Sequence, residues 1–242
     1  MTKKPAPGKC IYCLQNFEEL TWDHVLPKSW YPKYSSTDEK WKVPVCNECN
    51  NRYSRIEGDL RNELALCLDP TTSSTQEIVE KALNSYDPRM GRDQRDRNKR
   101  QKSLEKLIEK VTIVNKVPEN VLPNFGLIPG LPYPYGFPVL PVKQEDVYVL
   151  VNKIVRGLTY ISSGILIDGN HRIDIYSVQM DVLIKMLMPI RNDLQIFDHR
   201  PGIYVAMGNI VGETINRIFF IEIWEQLNLQ AFVLPKEYEL PS

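Results

Sequence analysis

Val45-Cys46-Asn47-Glu48-Cys49-Asn50-Asn51-Arg52-Tyr53-Ser54-Arg55-Ile56-Glu57, read together with Cys10-Ile11-Tyr12-Cys13 upstream, decides how the chain begins to fold. Each stretch contains a C-x-x-C knuckle, which can offer two thiolates to one ion. Two knuckles make a closed tetrahedral site of four thiolates, the donor set of structural zinc. The opening residues, MTKKPAPGKC, hold no apolar run of the kind a secretory signal needs. The expected compartment is therefore the cytoplasm, where disulfides are rare and paired cysteines point to metal. Cys67, the fifth cysteine, falls on the apolar side of a predicted helix and reads as an ordinary buried thiol.

The elements around the knuckles follow from local pattern. Phe17 to Trp30 has strand-like content and is stopped by Pro27, and Trp41 to Val45 reads as a second strand running into Cys46. A helix is predicted over about 47–68, because Tyr53, Ile56, Leu60, Leu64 and Cys67 recur at three and four residues. Pro70 and the following TTSST run end it. Residues 1–69 thus form a strand–strand–helix unit too small to rely on its own core, and the metal supplies the missing stability.

Beyond it, residues 70–117 read as a polar helical connector. One helix is expected over about 74–85, broken at Asp87-Pro88, and a second over about 93–114. Residues 118–141 are rich in proline and glycine and read as an extended linker or arm. Residues 143–235 read as a compact α+β domain. It opens with a helix over 145–161 and continues with strands at 165–167, 173–178, 203–207, 215–224 and 231–234, with a short helix over 180–188. The fold class is α+β: a small metal-stapled module, a connector and a C-terminal domain spanning 118–242.

Composition bounds the function. The chain has 242 residues, 30 basic against 30 acidic, so a chain-wide electrostatic grip on nucleic acid is excluded while a local one is not. Such a local grip is offered by Arg89 to Lys102, where seven basic residues face only Asp93 and Asp96. Two readings stay open there: a solvated helix face laced with salt bridges, or contact with phosphates. No apolar run reaches the roughly 18 residues of a membrane span, so no membrane partner is expected.

Between the knuckles lies Trp22-Asp23-His24-Val25-Leu26-Pro27-Lys28-Ser29. Asp23 puts a hard oxygen ligand beside His24, a base that titrates near neutrality. Asn50, at the start of the predicted helix, is placed to face Asp23 across the strands. Asp23 and Asn50 holding a divalent ion, with His24 facing a water, is equipment for phosphodiester hydrolysis.

These strings, C-I-Y-C, L-T-W-D-H-V-L-P-K-S and V-C-N-E-C-N-N-R-Y-S-R-I-E, resemble the HNH endonucleases, the ββα-metal nucleases, in the variety with two zinc-binding C-x-x-C pairs. The likeness covers Cys10–Gly58. It implies a ββα-metal fold in which Cys10, Cys13, Cys46 and Cys49 hold structural zinc. It implies His24 as general base, with Asp23 and Asn50 as catalytic ligands of one Mg²⁺ or Mn²⁺. The implied reaction is hydrolysis of DNA to a 5′-phosphate and a 3′-hydroxyl, in the setting of bacterial or phage defence. One departure is plain. The family's middle Asn, about nine residues before the final ligand, falls here near Trp41, and 35–45 contains no Asn. Trp41, or a backbone carbonyl, is left to hold His24.

Two rival functions remain: a catalytically inactive zinc-stapled module that docks on DNA or protein, and an RNase of the same fold. Residues expected to touch nucleic acid are Lys28, Arg52, Arg95, Arg97, Lys99 and Arg100. The C-terminal domain, mildly acidic, is expected to bind a regulatory protein or a second copy of the chain rather than DNA. His171 and His199 lack ligand companions at metal spacing and read as surface turn residues.

Overall fold

A computed structural model describes residues 4–32, 41–68, 71, 75–115, 136–177, 193–209, 216–225 and 227–237. The chain opens with β1 (Gly8–Lys9) and β2 (Asn16–Phe17), paired antiparallel around the first knuckle. The turn between them is tight. Cys10 N–H donates to Gln15 O at 2.9 Å and Leu14 N–H donates to Cys10 O at 2.9 Å, with Leu14 in the left-handed region at φ 64°. β3 (Thr21–His24) and β4 (Lys42–Val45) form a second antiparallel ribbon in which Asp23 faces Val43 and His24 faces Lys42. Alternation sends Asp23, Val43 and Val45 inward, all buried, and Trp22, His24 and Lys42 outward. β3 is shorter than expected because the chain turns into a short 3₁₀ helix at Lys28–Trp30 directly after Pro27.

α1 (Asn47–Ala65) follows Cys46, whose sulfur accepts from Cys49 N–H and so caps the helix N-terminus. α2 (Gln76–Tyr86) packs on α1, and α3 (Gln94–Lys110) packs on α2. Asp93 caps α3 by accepting from Asp96 N–H at 2.8 Å. α3 ends before Thr112 rather than running on to 114, because Thr112–Val114 forms β5, which pairs with β6 (Phe137–Val139). β6 falls within the expected arm, most of which, like the expected helix over 180–188, lies outside the described residues.

α4 (Gln144–Ser163) ends on Gly164 in the left-handed conformation. Ile165–Ile167, expected as a strand, is irregular chain. The sheet that follows has five antiparallel strands: β7 (His171–Ser177), β8 (Gln195–His199), β9 (Ile203–Asn209), β10 (Arg217–Ile223) and β11 (Leu227–Pro235). Their spatial order is β7-β11-β10-β9-β8, so β8, which the sequence pattern did not reveal, forms one edge.

One buried cluster runs from Cys10 and Ile11 through Trp30, Val43 and Leu64 to Leu150, Ile154, Phe219 and Val233. The thiol module, the helices and the sheet therefore share a continuous core. Two glycines permit close approaches between distant parts of the chain. A Cβ on Gly157 of α4 would lie 2.5 Å from the Val25 side chain, and one on Gly202 would run into the Tyr31 ring. Among the described residues no helix is long and apolar enough to cross a membrane.

Candidate functional site

The four knuckle sulfurs lie within 4.8 Å of one another, with Cys13 Sγ and Cys46 Sγ 3.9 Å apart. Zinc bound at about 2.3 Å to four tetrahedral thiolates sets sulfurs roughly 3.8 Å apart, so the donors fit the ion in kind and spacing. Burial pushes the Cys49 thiol far above its ordinary value, and neighbouring thiols push it further. Burial also raises Cys13, whereas Cys10, despite its burial, is held down by the backbone N–H groups of Cys13, Cys46 and Tyr12. Four thiolates would coexist here only around a cation, and the cluster is one that could hold a structural zinc.

The inward face of β3 carries a second polar centre. Asp23 is 6% exposed. Its Oδ2 accepts from the Tyr12 hydroxyl at 3.1 Å and meets Lys153 Nζ at 3.0 Å. Lys153, on α4 and fully buried, also pairs with Glu57 on α1 and lies 5.8 Å from the centre of the Tyr53 ring. Burial raises the Glu57 carboxyl, an effect that Lys153 opposes. Burial and the nearby Asp23 charge hold the Tyr12 phenol well above its ordinary value, so it stays a donor. Tyr12 and Tyr53 pack with ring centres 4.5 Å apart and wall the centre off.

This placement bears on one expectation. A hydrated Mg²⁺ or Mn²⁺ needs an open face on its carboxylate ligand. The buried Asp23 oxygen already holds an ammonium and a phenol. Asn50 sits half-buried in the first turn of α1, and no hydrogen bond joins it to Asp23 among the described residues. The helix group that shares a cation with Asp23 is Glu57, two turns further along the same face. The residues present do not fit a divalent ion on Asp23 and Asn50. Glu57 repeats the Asn50 face at a spacing of seven, a signal available in sequence. Lys153, distant in the chain, gave none.

His24 closes β3 opposite Lys42, half-buried with its Nε2 shielded from solvent, and lies two residues from Trp22, which is 37% exposed. Its neighbour Val25 donates its N–H to the Trp41 carbonyl at 3.0 Å. A backbone carbonyl thus pins the chain directly after His24. The Trp41 ring instead meets Phe197 and His199 edge-on, at 4.9 and 4.3 Å. His199, expected in a surface turn, is packed at the end of β8 against Trp41 and Tyr31. His171 does sit at a turn, bonded to Asp168 at 2.8 Å. Cys67 is buried, its thiol directed at the Glu63 carbonyl.

The expected phosphate-contacting residues divide. Lys28 and Arg52 are exposed. Arg100 pairs with Asp96 at 3.2 Å and also bonds the Asn84 carbonyl, and Arg97 reaches the Gly91 carbonyl at 3.4 Å. Arg95 and Lys99 are exposed on α3, and no ion pair engages them among the described residues. α3 is anchored at its other end by Lys110 pairing with Glu63, thirteen residues and about 20 Å along α1 from Asn50. Compared with family models, curated proteins and solved structures, the chain matches none.

Proposed function

We propose that residues 1–69 act as a zinc-stapled HNH-type nuclease module hydrolysing DNA phosphodiester bonds. The observation that carries the reading is His24 at the end of a β ribbon whose far end is gripped by the four-thiolate cluster. In this reading His24 takes the proton from a water whose oxygen attacks phosphorus, the bond to the 3′-oxygen breaks, and the leaving oxygen takes a proton from solvent. Lys42 and Trp22 share the His24 face of the ribbon and would meet a phosphate and a nucleobase, with the shielded Nε2 of His24 uncovered to reach the water. Exposed Lys28 follows in the next turn and adds positive charge. The zinc holds the scaffold and takes no part in the chemistry.

A second reading is a non-catalytic zinc-stapled module that docks on DNA or protein. It is favoured by the burial of Asp23 against Lys153, which keeps that carboxylate from the surface where a cleavage site would use it. Plasmid, linear DNA and RNA incubated with purified protein and Mg²⁺, Mn²⁺ or EDTA separate the readings. Nicking that His24→Ala reduces by about two to four orders of magnitude supports the nuclease. Binding without cleavage under every metal supports the docking module, and cleavage of RNA alone reassigns the substrate. A defence role, and a regulator or second copy on the C-terminal domain, are extensions that this experiment precedes.

A further inference from the structure

We infer that α4 is a positioning clamp for His24, with the ammonium of Lys153 as the resident cation of the Asp23–Glu57 pair. Two contacts from one helix face carry this. Lys153 Nζ lies 3.0 Å from Asp23 Oδ2, on one side of His24 in the chain. Gly157, one turn further along α4, lies against Val25 on the other side, so closely that a Cβ would sit 2.5 Å from a Val25 methyl. Residues four apart share a helix face, so the same stripe of α4 holds both neighbours of His24. Glu57 closes the arrangement from α1, and the Tyr12 hydroxyl satisfies Asp23 further.

The charges suit a closed site. Two carboxylates buried together repel unless a cation lies between them. A lysine that is itself fully buried supplies that cation without opening a path to water. An ion that keeps most of its water shell has no comparable way in. The carboxylate next to His24 is thus held by the C-terminal half of the chain. α4 completes the module instead of serving only as part of a separate domain. That His24 is a catalytic base rests on the nuclease reading; the clamp does not, and its test avoids cleavage.

The chain has three histidines, so imidazole signals of the whole zinc-loaded protein can be followed one by one by NMR. Lys153→Met should move the His24 signal and leave that of His171, bonded to Asp168 at the start of β7, in place. If the variant keeps its zinc and His24 does not move, the clamp is wrong. Should Lys153→Met fail to fold, Gly157→Ala reads the second contact, the one on Val25, and should also move His24; an unmoved signal there overturns the inference equally. Paramagnetic Mn²⁺ tests the resident cation. It should broaden His24 to the same extent in the wild type and in Asp23→Asn, whose amide keeps the shape. Broadening in the wild type that Asp23→Asn abolishes would make Asp23 a metal ligand and remove Lys153 from the role.

Discussion

Lys153 is the side chain on which most of the buried electrostatics depends. Removing one partner of a buried ion pair strands the other charge, which costs about 3–5 kcal/mol, far more than the loss of a surface pair. Lys153→Met should therefore lower stability by about that much, measured by urea unfolding. Adding Glu57→Gln and Asp23→Asn removes the stranded charges and should recover a large part of the loss. A triple variant no more stable than the single would show that the ammonium acts by packing alone. The four cysteines are tested differently, because their cluster could hold an ion. Cys49→Ser or Cys10→Ser should release zinc, and elemental analysis of the wild type should find about one zinc per chain. Finding none in freshly purified folded protein would end the zinc assignment. Legibility at this scale followed chain distance. The thiolate cluster was readable because two short spacings declare it. The partner of Asp23 was not, because no local pattern links position 23 to position 153.

At the scale of elements, helices were read nearly to their ends. α1, α2 and α4 carry apolar residues every three or four positions and clear stops, such as Gly164 after α4. Strands were read less well. β8 hides in Gln195-Ile196-Phe197-Asp198-His199, where only Phe197 is buried, since an edge strand leaves its pattern half-solvated. Ile165–Ile167 misled in the opposite direction. An apolar triplet reads as a strand, but here Ile167 is buried while its carbonyl accepts from Arg156 rather than from a ladder. α3 shows how a charge run divides once folded. Arg100 and Arg97 are spent on Asp96, Asn84 and Gly91, whereas Arg95 and Lys99 point outward. If α3 grips phosphates, neutralising Arg95 and Lys99 should lower the slope of log affinity against log salt by roughly 0.9 for each lost contact on duplex DNA. Neutralising Arg97 and Arg100 should instead loosen the α2–α3 packing and change thermal stability more than the slope. An unchanged slope for Arg95 and Lys99 would assign the run to solubility.

At the scale of the whole molecule, the question is whether the thiol module stands apart from the C-terminal sheet, as three separate segments in the sequence suggest. Trp224 argues that it does not. It sits in the turn joining β10 to β11, with φ 51°, a left-handed conformation that a bulky residue adopts only when something else compensates. The compensation is its neighbour across the core. Its ring stacks on Trp30 with centres 4.8 Å apart and planes 18° apart, and its indole N–H donates to the Trp30 carbonyl at 2.8 Å. Trp30 in turn donates its own indole N–H to the Glu57 carbonyl of α1 at 3.2 Å. A turn of the sheet is thereby tied through two indoles to the helix that the zinc knuckle begins. Trp224→Ala would open a cavity beside Trp30 and free the Trp30 carbonyl, a loss of about 3–5 kcal/mol by the usual cost of removing a buried aromatic. The sheet and the module should lose it together. The urea midpoint for zinc release, followed with a chromogenic chelator, should fall in step with the midpoint for loss of sheet signal in circular dichroism. Two separate midpoints, with zinc release unmoved by the substitution, would show that the module folds on its own and that the sheet merely leans against it.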